Sequence, residues 1–372
     1  MQFLNLRRAV IDNIDARIST HLKSPPGVGK SDFVEDLIAY LSKRDGFEWG
    51  FATCFLATFT PTDLLGYMVP TKITNVDGTQ SLASVFTTPS WMMTRPTKEH
   101  PHGRHINTFK RGIVFLDEWS QADGDTKKAA AQLKLKGEVG PHRLHEGIAV
   151  ISAGNRKDDR SGVTKEFDFV INREQEINIQ PDFPSWEAWA VAHGVMPLTI
   201  TFAAQNPQIV FAGEVPKEQG PWTTPRSLCM VDRLLQVKMK NNGGELPDSP
   251  EVAEQLQGIM GAGAAQYMAF IKIQREMPKY ADIVKDPGGV KVPKAPDAQM
   301  LVCYQLAHEI KPKDSAQIIE YVERLPKEFA VTFATTACKK NMQLVNEPAF
   351  DKWARQNSSL MAAIALSAKQ SA

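Results

Sequence analysis

Apolar residues recur at helical spacing through Phe3, Leu6, Val10, Ile14 and Ile18, which predicts an N-terminal helix leading into a strand. Ile18-Ser19-Thr20-His21-Leu22 reads as that strand, and residues 33–41 read as an amphipathic helix running to about Arg44. Residues 50–56 form a second strand candidate. Ile113-Val114-Phe115-Leu116 and Ile148-Ala149-Val150-Ile151-Ser152 are short apolar runs of the length of buried strands, with a helix over 129–135 between them. Strands alternating with helices predict a parallel α/β sheet. The pattern breaks between 70 and 111, where a turn signal at Asp77-Gly78, an apolar patch at Trp91-Met92-Met93 and a polar segment over 98–110 predict an insertion with a hairpin and mobile loops. Beyond about Pro184 the pattern is mostly helical. Thr224 caps and Pro225 opens a helix over 225–237. Asp286-Pro287-Gly288-Gly289 opens a turn-rich linker, and short helical patterns follow to the end. The expected organisation is an α/β core over 1–183, a helical region over 184–285 and a further helical region over 286–372.

Between the first strand and its helix lies Ser24-Pro25-Pro26-Gly27-Val28-Gly29-Lys30-Ser31. It has the form of a nucleotide-binding P-loop with one letter changed, because Ser24 stands where the pattern has its first glycine. A strand, a glycine-rich turn and a helix N-terminus gather backbone N–H groups around one point suited to phosphate. Residues Pro26, Gly27, Val28, Gly29, Lys30, Ser31 and Asp32 are the expected nucleotide contacts. Lys30 would reach the β- and γ-phosphates and Ser31 would ligate magnesium (Mg2+). With Ser24, the entry turn has to be made without glycine's freedom at positive φ.

A second motif narrows the chemistry. Ile113-Val114-Phe115-Leu116-Asp117-Glu118 puts Asp117 at the carboxyl end of a central strand, where a carboxylate can hold Mg2+. Glu118 can then act as general base on an attacking water. The bland alternative is a core strand ending in a solvated acidic turn; the P-loop upstream favours hydrolysis of ATP. Ala153-Gly154-Asn155-Arg156 follows the next apolar strand, so Asn155 is placed to orient the water, although asparagine is also common in turns.

Composition adds exclusions. The chain has 372 residues and 42% hydrophobic content, enough for a core domain and one or two smaller ones. Its 43 basic and 42 acidic residues leave a net charge of +1, which provides no footprint for non-specific nucleic-acid binding. Cys54, Cys229, Cys303 and Cys338 form no Cys-x-x-Cys pair and read as buried thiols in a reducing compartment. With no signal-peptide core and no membrane-length apolar run, the expected location is cytoplasmic.

Taken together the motifs resemble AAA+ ATPases, specifically the MoxR-like branch. Pro25 to Ser31 look like that family's Pro-Pro-Gly-x-Gly-Lys loop, and Thr62-Asp63-Leu64-Leu65-Gly66-Tyr67 is similar to its Asp-Leu-x-Gly segment. Leu116-Asp117-Glu118-Trp119-Ser120-Gln121-Ala122 matches its Asp-Glu-x-x-x-Ala pattern, and Ser152 to Arg156 resemble its sensor strand end. Phe169-Val170-Ile171-Asn172-Arg173 resembles its arginine-finger signature without the usual following phenylalanine, leaving Arg156 and Arg160 as rivals to Arg173. Thr223-Thr224-Pro225-Arg226-Ser227 is similar to its second sensor, and Trp186-Glu187-Ala188-Trp189 to a connector. The resemblance implies a three-layer P-loop sandwich with a parallel central sheet, a helical lid and a helical C-terminal region. It also implies a ring, expected as a hexamer, that binds and hydrolyses ATP with Mg2+. Arg173 would reach the neighbour's nucleotide, Arg226 the γ-phosphate from the lid. The implied work is chaperone-like remodelling of a protein partner, and the resemblance suggests one with a von Willebrand A-type domain. The other readings are a DNA motor or loader, and a scaffold that hydrolyses ATP weakly.

Several signals point elsewhere less strongly. His100, His102 and His105 suggest zinc, but no cysteine accompanies them and a solvated loop is expected. Lys127, Lys128, Lys134 and Lys136 read as a solvated basic helix face. Trp91-Met92-Met93 reads as a core contact, and Trp186 with Trp189 as packing between domains.

Overall fold

The computed structural model describes residues 1–156, 159, 167–275, 277–357 and 362. The chain divides into two compact units, one of Met1–Gln180 with Gly213–Val215, the other of Pro181–Ala212 with Pro216–Ala372.

The strands of the first unit are β1 (Ser19–Ser24), β2 (Gly50–Phe55), β3 (Met68–Thr74), β4 (Gln80–Phe86), β5 (Gly112–Asp117), β6 (Glu138–Val139), β7 (His142–Arg143), β8 (Ile148–Asn155) and β9 (Glu174–Asn178). Five form one sheet in the order β2-β5-β8-β1-β9. All four pairings in it are parallel. Side chains alternate across a strand, and here the alternation sorts residues into two cores. Ile113 and Phe115 of β5, with Ile151 and Ala153 of β8, pack on one face against Leu6 and Val10 of helix Phe3–Ala16 and Val34, Leu37 and Leu41 of helix Lys30–Asp45. Val114, Leu116, Ile148 and Val150 face the other way, onto Ala130, Ala131 and Leu133 of helix Gly124–Lys136. Central strands buried on both faces need continuous apolar runs, which is why β5 and β8 stood out in the sequence. The result is an α/β P-loop fold in three layers, followed by a helical C-terminal region.

The insertion is half as expected. β3 and β4 form an antiparallel hairpin, mostly exposed, with Gly78 at φ +83° in the turn. The segment after it returns to the sheet: Trp91, Met92, Ile106 and Phe109 are buried, and the Trp91 indole N–H donates to the Leu64 carbonyl at 2.8 Å. Apolar burial anchors this segment where mobile loops were expected. His100 and His102 are exposed, and His105 accepts a hydrogen bond from the Asn107 N–H at 3.2 Å.

In the second unit, prolines open the helices Pro197–Gln205, Pro225–Asn241, Pro250–Met260, Pro296–Glu309 and Pro348–Gln356. Proline suits that position because its missing N–H has no intrahelical partner there. Helix Pro296–Glu309 joins two cores: Leu301 and Tyr304 enter one, Val302, Cys303, Leu306 and Ala307 the other. Trp186 packs against Phe183 and Phe211 inside this unit, so the expected packing between domains is corrected to packing within one. Glu187 is buried and accepts from the Tyr304 hydroxyl at 2.7 Å and the Lys339 ammonium at 2.6 Å. All four cysteines are free. No helix of the described residues is long and apolar enough to cross a membrane.

Burial, helped by the Lys340 ammonium, pushes His308 down to about 4. An unfolded histidine takes up its proton near pH 6.5, so the unfolded chain binds more protons than the native one between pH 6.5 and 4. Stability present above pH 6.5 is therefore lost as the pH falls toward 4. Replacing His308 with Gln should reduce the stability lost between pH 7 and pH 5 by about 1–2 kcal/mol. Denaturant unfolding of both proteins at the two pH values measures this; identical losses would show that His308 is not the group responsible.

Candidate functional site

β1 ends on Ser24, in register with Asn155 at the end of β8. The loop that follows turns through Gly27 at φ +76° and Gly29 at φ +91°. A Cβ at Gly29 would meet nothing closer than Asp32 Oδ2 at 3.6 Å, so glycine is required there by the backbone angle and not by space. Helix Lys30–Asp45 starts at once. Its first N–H groups lack intrahelical acceptors and open toward the loop, a ready anion cradle. Val28 is buried, Pro26 and Gly27 are half-buried, and Asp32 is exposed in the first turn.

Ser24 is explained by its surroundings. It lies in β1, and among the described residues only Arg17 and Glu118 combine a side chain with positive φ. The expected penalty for lacking glycine therefore does not arise, which corrects the sequence-based view of this position. Its hydroxyl donates to the Pro25 carbonyl at 2.8 Å and accepts from the Lys30 ammonium at 2.9 Å. Asn155 Oδ1 accepts from the same ammonium at 3.0 Å. A serine thus holds the P-loop lysine where glycine has no side chain to do so.

Asp117 is buried at the end of β5. Its Oδ2 accepts from the Ser31 hydroxyl at 2.6 Å and its Oδ1 from the Glu118 N–H at 2.8 Å. Glu118 itself is exposed and sits at φ +54°, ψ +32°. That left-handed conformation costs an ordinary residue about 1–2 kcal/mol. It turns the chain into a short helix, Trp119–Gln121. The Ser120 hydroxyl of that turn accepts from the Asn155 N–H at 2.7 Å. Lys30, Ser31, Asp117 and Asn155 therefore meet at one edge of the sheet, with Glu118 beside them. The donor set of a hydroxyl and a carboxylate suits a hard cation such as Mg2+, which prefers oxygen and keeps several waters.

The arginines separate. Arg156 is engaged by Asp159 at 2.9 Å and by the Gly213 carbonyl. Arg173 is exposed between the short helix Asp168–Ile171 and β9, and makes no ion pair among the described residues. Phe169 and Ile171 beside it are 45% and 47% exposed. Arg160 lies outside the described residues. Arg226 is exposed in the first turn of helix Pro225–Asn241, whose start is fixed by a capping box between Thr224 and Ser227.

Behind the site lies a polar layer that the sequence reading missed. Lys127 and Lys134 are buried, against the expectation of a solvated basic face. Their spacing carried the signal: 127, 130 and 134 share one face of a 3.6-residue helix with the core alanines. Lys134 is ion-paired with Glu174, and its ammonium lies 3.9 Å from the Trp119 ring centroid. His21 is bonded to the Ser152 hydroxyl at 2.8 Å. Burial, then the nearby Lys134 charge, holds the His21 ring well below its ordinary pKa, so it is neutral at pH 7.

The sheet order, the loop and the residues at its edge define a P-loop protein of the α/β class. No family model matches the chain, and no curated protein matches it in sequence. Among solved structures it is similar to a RuvB mutant from Thermotoga maritima, at 9% identity over 76% of this chain and 73% of that one, with a TM-score of 0.39. It is also similar to NtrX from Brucella abortus in complex with ADP, at 14% identity over 96% and 68% of the two chains, with a TM-score of 0.36. Likenesses this distant carry no argument about activity; the fold assignment rests on the strand order and the loop.

Lys30→Ala should weaken ATP binding by about 10–100-fold, the worth of one charge-assisted contact. Ser24→Gly should leave it within about threefold, since Ser24 occupies ordinary strand backbone and Asn155 still holds Lys30. Isothermal titration with ATP and Mg2+ tests both; a loss with Ser24→Gly as large as with Lys30→Ala would refute this reading of Ser24.

Proposed function

We propose that this chain is an ATP-hydrolysing AAA+ ring ATPase of the MoxR-like kind, expected as a hexamer, that remodels or activates a protein partner. One observation carries the hydrolytic reading: Lys30, Ser31, Asp117 and Asn155 converge through hydrogen bonds of 2.6 and 3.0 Å, with Glu118 beside them. The amides of Gly27 to Ser31 and the Lys30 ammonium offset negative charge on the β- and γ-phosphates. Ser31 and Asp117 would hold Mg2+, which supplies further charge neutralisation at the transferred phosphoryl group. Glu118 takes the proton of the attacking water, and Asn155 orients that water.

Arg173 is the choice for the finger because its guanidinium is exposed while that of Arg156 is engaged by Asp159. The exposed Phe169 and Ile171 beside it offer apolar area of the kind a subunit contact covers. Arginine suits a phosphoryl transition state through its fixed charge and forked donors. Arg226, with its exposed side chain, is assigned the lid contact to the γ-phosphate on the strength of the family resemblance. The same resemblance supports a protein partner with a von Willebrand A-type domain.

Glu118→Gln should lower turnover at least about 100-fold, the ordinary worth of a general base, while ATP affinity stays within about threefold. Turnover at the wild-type rate would refute the assignment. The same variant, locked with ATP and Mg2+, is the bait for partners: co-purification of a metal-binding protein partner supports remodelling, and recovery of DNA alone overturns it.

A further inference from the structure

We propose that the buried pair Lys134–Glu174 is a positioning device that fixes Arg173, and that it does so from the back of the elbow carrying Glu118. The inference rests on the ring reading above, in which Arg173 serves the neighbouring nucleotide.

The location of the pair is the first argument. Glu174 immediately follows Arg173 and opens β9, the edge strand paired with β1. Its side chain is 3% exposed and that of Lys134 is fully buried. The Arg173 backbone is thereby anchored one residue away from a fixed point, while its own side chain stays exposed. The second argument is what lies beneath the lysine. Its ammonium sits over the Trp119 ring at 3.9 Å. Trp119 is fully buried and directly follows Glu118 in its left-handed conformation. His21 meets the same indole edge-on at 6.5 Å. The Lys134 carbonyl accepts from the Ser19 hydroxyl at 2.7 Å, tying that end of the helix to β1. One continuous path therefore runs Glu118, Trp119, Lys134, Glu174, Arg173.

The third argument is energetic. Placing both charges of an ion pair in the interior costs several kcal/mol per ion before their attraction returns it, and apolar residues of similar size commonly do as well or better for stability. Lys134 lies on a buried helix side that also carries Lys127, Ala130, Ala131 and Leu133, and a leucine or methionine in its place would serve packing. A charge there makes sense as a directional contact, since cation–π and ion-pair geometry locate both Trp119 and Glu174. The pair thus links the residue that activates water in one subunit to the residue that subunit lends to its neighbour.

The decisive variant is the double replacement Lys134→Met with Glu174→Met, which removes both charges of the pair together. It should melt within a few degrees of the wild type and bind ATP within about twofold. Its kcat should fall about tenfold or more, and the single variant Glu174→Gln should show the same split between kcat and affinity. A double variant with wild-type kcat would show the pair to be merely structural and overturn the proposal. Mixed rings then locate the defect. Glu118→Gln subunits are inert but carry intact fingers, so mixing them with Glu174→Gln subunits should raise turnover per active subunit at least about threefold. Arg173→Ala subunits mixed in the same way are the reference. Rescue of Arg173→Ala without rescue of Glu174→Gln overturns the positioning role alone; rescue of neither overturns the finger reading as well.

Discussion

The site depends on the parallel register of three strands. β8 lies between β5 and β1, and parallel pairing sends all three carboxyl ends to the same edge. Asp117, Asn155 and Ser24 are the terminal residues of those strands, so their polar groups arrive together without any long loop to position them. The loop after Ser24 then adds a helix whose first two residues, Lys30 and Ser31, bond to the neighbouring strand ends. A shift of one residue in β5 would exchange its two faces, sending Phe115 into the core of Leu116. The two apolar cores thus hold the register, and the register holds the chemistry.

The interior just below that edge is polar, which is unusual for the centre of a sheet sandwich. Ser120 bonds Asn155, Ser152 bonds His21, and Lys134 pairs with Glu174. The first and third join residues that follow β5 to β8 and β9, and the second ties β8 to β1. Polar contacts have direction and fail when misaligned, whereas apolar packing tolerates sliding. Apolar burial supplies the adhesion here, and this layer supplies alignment.

What the sequence revealed follows from the same division. β5 and β8 are legible because strands buried on both faces are continuous apolar runs. β9 is not, since Glu174-Gln175-Glu176-Ile177-Asn178 has one buried apolar side chain and borders solvent on its outer edge. The buried lysines are hard to read because their charge points to solvent while their helical phase matches that of the core alanines. The hairpin was marked by Asp77-Gly78, but the return of residues 90–109 to the core was not, because a short irregular segment has no period to read. Among the site residues, Lys30, Ser31, Asp117 and Asn155 were legible from motif spacing. Ser24 was not, since its role lies in a hydroxyl contact that only the folded loop creates.

Glu118 shows why these levels have to be taken together. Its backbone conformation is unfavourable by about 1–2 kcal/mol, and an exposed side chain provides little to offset it. The compensation comes from the next residue. Trp119 is fully buried, and burying a large aromatic ring is worth several times the strain. Its ring is confined by His21 at the edge and Lys134 over the face. The anchor therefore fixes the direction in which the chain leaves β5, and with it the direction in which Glu118 projects. A relaxed turn at this point would release the strain only by moving Trp119 out of contact with Lys134. The strained elbow and the buried charge behind it are in this sense one structure, with the reactive carboxylate at its exposed end.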